Sequence, residues 1–303
     1  MTFLLLCFIA VCGTPAAAEG TAQNGIPKIK VVTTLPVLKD FAIQVGGDRV
    51  EAVSLLSGLE NQHTYTSRPS DILAIRKADL LVKIGLGLDN WTDHLIQNAQ
   101  NPGLTVVTTS EGIPVIRGTG GESEGASIEG GDEPGNPHIW LDPENAKSMI
   151  DKIAAALIRL DPDNRSGILA RQADYLKKLD DLENRLIQKV AHLKNRDIIT
   201  HHDAWPYFAH RFGFKIRDTI MLQEGTEPSA KHLADLVRMI REEHIQAVVS
   251  EPQFSPRLPQ LLNEETGVRV VVLTPIPGVL KNAQDYYSMI EYDVEALVSA
   301  LEN

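Results

Sequence analysis

The chain alternates short apolar runs with longer stretches in which apolar residues recur every three or four positions. Ile29-Lys30-Val31-Val32-Thr33-Thr34-Leu35 reads as a buried strand halted at Pro36, and residues 37–45 as a helix stopped by Gly46-Gly47. Residues 50–55, 80–84 and 104–107 are further strands, and Ser70 stands in N-cap position for a helix over 71–77. Asp142 caps a helix with Pro143 and Glu144 in its first turn; it runs to about residue 160, where Asp161-Pro162-Asp163 ends it. Short apolar strands separated by helices predict parallel sheets and an α/β fold.

Residues 165–196 read as one long charged helix. Leu169, Ala173, Leu176, Leu179, Leu182, Leu186, Val190 and Leu193 fall close to helical spacing on one stripe. At ~1.5 Å per residue this element is roughly 45 Å long. The α/β rhythm resumes after it: strands at 197–200, 214–216, 247–250 and 268–273, a helix capped by Ser229 and running to about 244, and a closing helix over 285–301. The long helix therefore reads as a strut between two α/β halves. The expected divisions are a leader at 1–18, a first lobe at 27–164, the linking helix at 165–196 and a second lobe at 197–303.

With 303 residues, 43% hydrophobic and 23% charged, the chain is long enough for two lobes with real cores. A formal net charge of -11 without a basic cluster excludes nucleic acid and anionic membrane as main partners. Phe3 to Val11 form an apolar run too short to span a bilayer, and Ala16-Ala17-Ala18 offers a cleavage site, so export to the periplasm is expected. The leader departs from the usual pattern in having no Lys or Arg ahead of that run. Cys12-Gly13 raises a lipid-anchored alternative, against which Ile9-Ala10-Val11 fit poorly. Both cysteines, Cys7 and Cys12, fall inside the leader, so a metal in the mature chain must be held by nitrogen and oxygen. Residues 118–135 hold seven glycines and five acids without apolar periodicity, and read as a solvated loop.

Histidines stand in three separate loops: Asn61-Gln62-His63-Thr64-Tyr65, Asn136-Pro137-His138-Ile139-Trp140, and His201-His202-Asp203-Ala204-Trp205. Imidazoles from separate loops are what a metal site needs when the fold, not a local motif, assembles it. His201 and His202 are adjacent, and neighbours in a strand face opposite ways, so one of them is structural. Glu251, at the end of a strand, and Glu60, three residues before His63, are oxygen candidates. His94, His192, His210, His232 and His244 lie on helical segments and read as structural or solvated.

These stretches, with Arg68-Pro69-Ser70-Asp71, residues 78–89, Trp205-Pro206-Tyr207-Phe208, Glu227-Pro228-Ser229 and Ser250-Glu251-Pro252-Gln253, resemble the periplasmic solute-binding proteins of zinc and manganese ABC importers over nearly the whole mature chain. The resemblance implies two α/β lobes bridged by one long helix that limits lobe closure, with the metal in the cleft between them. It implies a ligand set of His63, His138 and His202, with Asp285 as a fourth, carboxylate ligand; the residues alone also give Asp285 the role of N-cap. Manganese-selective relatives carry an acid where His202 stands, so zinc is the expected cargo, with Mn2+ or Fe2+ as the alternative. The loop at 118–135 lacks the histidines common in zinc-importing relatives. The implied partners are a divalent ion, a permease with its ATPase, and a periplasmic metallochaperone as a second source of metal; a monomer is expected. No His-Glu-x-x-His helix is present, which weighs against a zinc hydrolase, and a surface adhesin is the third class considered.

Overall fold

The computed structural model describes residues 27–117, 135–222 and 225–302. The leader expected over 1–18 and all but Gly135 of the loop at 118–135 lie outside the described residues.

The first sheet holds β1 (Ile29–Thr33), β2 (Val50–Ser54), β3 (Leu80–Lys83) and β4 (Thr105–Thr108) in the order β2-β1-β3-β4. The second holds β5 (Asp197–Thr200), β6 (Lys215–Thr219), β7 (Ala247–Ser250) and β8 (Arg269–Val272) in the order β6-β5-β7-β8. Every pairing is parallel, with Val31 facing Ala52 and Leu80 in the first sheet and Ile198 facing Ile216 and Ala247 in the second. Parallel strands need crossovers, and helices supply them: α1 (Pro36–Gly46), α2 (Pro69–Arg76) and α3 (Thr92–Ala99) in the first half, α6 (Pro206–Phe212), α7 (Ala230–Glu242) and α8 (Arg257–Thr266) in the second. Between the halves run α4 (Pro143–Leu160) and α5 (Arg165–Ala191), and α9 (Tyr286–Leu301) closes the chain.

Local signals worked where the cap itself decides the start of a helix. Asp142 accepts the Glu144 N–H at 2.8 Å and Ser229 accepts the His232 N–H at 3.1 Å. Ser70 does not cap α2. That helix starts at Pro69, and Asp71 reaches back to the Arg68 N–H at 2.7 Å, leaving Ser70 inside the first turn.

The long helix ends at Ala191, short of residue 196, where the His192 N–H turns back to Lys189 and Val190. Its buried stripe is Ile168, Tyr175, Leu179, Leu182, Leu186 and Val190, whereas Leu169 is 41% exposed and Ala173 is exposed. The phase differs in the first turns because α5 changes partners along its length. Early on, Arg171 donates to the carbonyls of Val45 and Gly46 at 2.9 and 3.1 Å. Further on, Arg185 and Lys189 pair with Glu291 and Glu295 of α9. Apolar residues of both sheets, α4, α5 and α9 form one continuous core. The two halves are therefore welded by buried apolar surface rather than joined by a free hinge.

Each sheet reverses its winding between its first and third strands, β1/β3 and β5/β7. Ligands of such sheets bind beyond the carboxyl ends of the strands at that reversal. In the first sheet the place is taken by buried Asp89, which accepts from Ile84 N at 2.6 Å, Gly85 N at 2.9 Å and Thr34 Oγ1 at 2.9 Å. In the second sheet the residues at the reversal are His201-His202 after β5 and Glu251 after β7.

Candidate metal centre

His202 comes just after the carboxyl end of β5, while His63 and His138 lie on the longer stretches of chain that follow β2 and β4. The three converge: one ring nitrogen of each lies within 4.8 Å of the other two. The Nε2 atoms of His63 and His138 are 3.2 Å apart, and the His138 and His202 rings are 5.2 Å apart between centroids. His138 and His202 are buried, and His63 is half-buried.

The two loops from the first half are built alike. Asn61 Oδ1 accepts the His63 N–H at 2.9 Å, and Asn136 Oδ1 accepts the His138 N–H at 3.0 Å. Asn two residues ahead of each histidine makes an Asx turn that sets the backbone direction of the ligand. Asn136 Oδ1 also lies 3.0 Å from His138 Nδ1, and its Nδ2 donates to the carbonyl and carboxylate of Asp203. Because Asn136 Oδ1 can only accept, the proton of neutral His138 sits on Nδ1 and the lone pair on Nε2. His138 is held well below its usual pKa, first by burial and then by the His202 and His63 rings. A neutral imidazole with an inward lone pair is the form that binds a metal.

His202 is oriented differently. Its Nδ1 lies 2.7 Å from Glu251 Oε1, which also accepts from Trp205 Nε1 at 3.1 Å, while Gln253 Nε2 donates to Glu251 Oε2 at 2.8 Å. Both oxygens of the buried Glu251 carboxylate are thus engaged. Glu251 is a positioning group, forming the carboxylate–histidine relay typical of metal centres, with Nε2 left to face the ion. Glu60 accepts both the N–H and the hydroxyl of Ser57 at 2.8 and 2.7 Å. His201 is not in the converging set: it is buried against Phe254, and burial lowers its pKa.

The structure does not bring Asp285 into the set. Its Oδ1 accepts from Ser288 N at 2.7 Å and Ser288 Oγ at 2.5 Å, closing a capping box at the start of α9. The cap engages Oδ1 of the carboxylate. The converging set among the described residues holds none of the remaining histidines; His232 Nε2, for example, lies 2.9 Å from the Thr219 carbonyl.

Two buried tryptophans stand beside the site, and both do more than fill space. Trp140 packs against His138 with ring centroids 5.3 Å apart and donates to the Pro275 carbonyl at 2.7 Å, while Trp205 donates to Glu251. Sequence reasoning missed Asn136, Gln62 and Arg211. Asn136 was legible in the shared Asn-x-His spacing. Arg211 was not: its bidentate pair with Asp142, at 2.6 and 3.0 Å, and its contact with Glu183, at 3.0 Å, join α6, α4 and α5 across the fold. Tyr207 accepts from Ile116 N at 2.9 Å and donates to the Asn136 carbonyl at 2.9 Å, holding these two backbone positions together.

The family of the zinc-uptake complex component A, periplasmic, matches residues 31–300. The chain belongs to that family. It is similar to the high-affinity zinc uptake system protein ZnuA of Bacillus subtilis (strain 168), 28% identical over 303 residues and covering 97% of this chain and 95% of that protein. It is also similar to the iron-binding protein YfeA of Yersinia pestis, at 27% identity, 97% of this chain and 93% of that one. The zinc-binding lipoprotein AdcA of Streptococcus pneumoniae (strain ATCC BAA-255 / R6) is 26% identical over 96% of this chain, which spans only 58% of AdcA. A crystal structure of ZnuA superposes with a TM-score of 0.80 at 28% identity, covering 90% of this chain and 99% of that one. The two parallel sheets and the long helix between them are the fold of this zinc-uptake family. Among the described residues no helix is long and apolar enough to cross a membrane.

Proposed function

We propose that this chain is the metal-capturing receptor of an ABC importer, which binds one Zn2+ through His63, His138 and His202 and hands it to a membrane permease driven by its ATPase. The observation that carries this reading is the convergence of three ring nitrogens from three separate stretches of chain. Three imidazoles favour zinc, whereas manganese prefers more oxygen. The similarity to an iron-binding protein keeps iron as a competing cargo, beside Mn2+.

Several features favour capture over catalysis. A zinc hydrolase needs a general base beside the ion. The carboxylate that touches the histidine set, Glu251, is committed to His202, Trp205 and Gln253. We read residues 27–164 and 197–303 as the lobes and 165–196 as the link, and residues 1–18 as a cleaved export leader that delivers a monomer to the periplasm. A periplasmic metallochaperone is a second source of metal.

The test is a competitive titration of the mature protein with Zn2+, Mn2+ and Fe2+, beside His63→Ala, His138→Ala and His202→Ala. One tightly held zinc, weakened by all three changes, is the expected result. Tight manganese with weak zinc would replace the cargo, and no tight metal at all would remove the receptor reading.

A further inference from the structure

We propose that the end of the second sheet remote from the metal centre carries an anion site, in which Arg241, His244 and Arg269 hold a small oxyanion of two or more charges. It lies outside the metal-capturing reading and stands without it.

The site begins with the way two helices stop. α7 ends at Glu242 and α8 at Thr266, beside the amino ends of β7 and β8. α8 stops on a glycine: Gly267 takes the left-handed conformation, φ +77°, and its N–H returns to the Asn263 carbonyl at 2.7 Å. α7 makes a similar stop without a glycine. The Glu243 N–H bonds the Met239 carbonyl at 2.9 Å, the Ile245 N–H reaches back to the Ile240 carbonyl at 3.2 Å, and His244 holds φ +54° between them. A side chain is strained in that conformation and glycine is not. Such strain gathers at binding sites, where the side chain itself is wanted.

A cleft of about 450 Å³ opens between the two helix ends. Arg241, His244 and Arg269 line it with Thr266, and among the described residues no carboxylate does, in a chain whose formal net charge is -11. The carbonyls at the end of α8 that would repel an anion are taken: Leu262 by Thr266 Oγ1 at 2.6 Å, Asn263 by Gly267 N and Glu265 by Arg241. Arg269 donates to the Ala300 carbonyl of α9. Anchoring on a neutral carbonyl sets the direction of a guanidinium without cancelling its charge. Glu265 Oε2 lies 3.8 Å from Arg241, with both side chains more than half exposed, so an incoming anion displaces it at little cost. Glu243 is turned away to Arg217 at 2.8 Å. A guanidinium is a planar fork of donors that matches the paired oxygens of a phosphate or carboxylate. Two forks and an imidazole around one cleft call for an anion with several oxygens, which a halide cannot supply. The four residues of β7, at ~3.3 Å each, put roughly 13 Å between this cleft and Glu251 at the other end of the strand.

The experiment is a calorimetric titration of the metal-free mature protein with phosphate, with citrate and with chloride, at constant ionic strength. One-site saturation by phosphate or citrate with Kd below about 1 mM is expected, and none by chloride. Tighter phosphate assigns a phosphate ligand; tighter citrate assigns a polycarboxylate. Arg241→Gln and Arg269→Gln are each expected to weaken the anion by about tenfold or more. His244→Gly is expected to weaken it severalfold while melting no lower than wild type, because glycine relieves the left-handed backbone; a histidine kept only as a helix stop would lose no anion. Zinc affinity of all three variants is expected to stay at the wild-type value, which separates loss of this site from loss of the metal centre. No saturation below about 10 mM anion, or anion affinity unchanged in any of the three variants, would overturn the proposal.

Discussion

Glu251 offers the sharpest test of how the site is built. Its carboxylate is buried and accepts from His202 Nδ1, Trp205 Nε1 and Gln253 Nε2. Replacing it by Ala strands two buried ring donors, and each such donor costs about 1–3 kcal/mol. The sum, roughly 2–6 kcal/mol, is a large part of the ~5–15 kcal/mol that holds a domain together. Loss of metal binding in Glu251→Ala would therefore say little about the site. Glu251→Gln is the informative change. Its Oε1 still accepts from His202 and Trp205, and Gln253 can turn its own amide to meet the new NH2. Only the charge is removed. A hydrogen bond to a charged acceptor contributes about 1.5–3 kcal/mol against ~0.5–1.5 for a neutral one. Metal binding makes the imidazole more positive, so most of that difference, about 1–1.5 kcal/mol or nearly tenfold in affinity, is felt only in the loaded protein. Zinc competition against a chromophoric chelator at constant pH should show that weakening, with the metal-free protein melting close to wild type. A Glu251→Gln variant that melts like wild type and binds zinc with wild-type affinity would refute the argument that this carboxylate tunes His202.

The other expectations concern the scaffold and the proton balance. Arg211→Ala leaves Asp142 and Glu183 without their guanidinium, so urea unfolding of the metal-free protein should show a loss on the order of 3 kcal/mol; an unchanged midpoint would mean that the cluster is no lock. Asp285→Ala should cost about 1 kcal/mol through the lost α9 cap while leaving zinc affinity intact, and a large affinity loss would restore Asp285 as a ligand. His138 has its pKa depressed in the folded state, so below about pH 6.5 the unfolded chain takes up a proton that the folded one refuses. Stability of the metal-free wild type, relative to His138→Gln, should therefore be fullest above that pH and fall as pH drops toward the folded-state value, by up to ~1.4 kcal/mol per pH unit; a flat difference would contradict the burial argument. Free zinc at about 100 times Kd should add roughly 2.7 kcal/mol to stability, and a chelator should remove the whole gain; calorimetry with and without the chelator reads this directly.

The amino-acid sequence carried its short-range information faithfully. The strands at 197–200 and 247–250 appear at those bounds, and Asp142 and Ser229 cap their helices, because period, breakers and caps act within a few residues. The three histidines stood out as loop residues, and the family resemblance named them as one set. Longer-range decisions were not local. The order β6-β5-β7-β8 puts Glu251 beside His202, although 49 positions separate them, and makes it a partner of the imidazole rather than a ligand. The burial phase of α5 follows its two successive partners, not its own periodicity. Asp285 Oδ1 serves the start of α9 because Ser288 stands three residues away. Arg211 found Asp142 and Glu183 only once three helices had packed together. Sequence determines which groups are available and how each segment coils; packing determines which groups meet, and a buried polar atom takes the partner that packing offers, since going without one costs more than any local preference supplies.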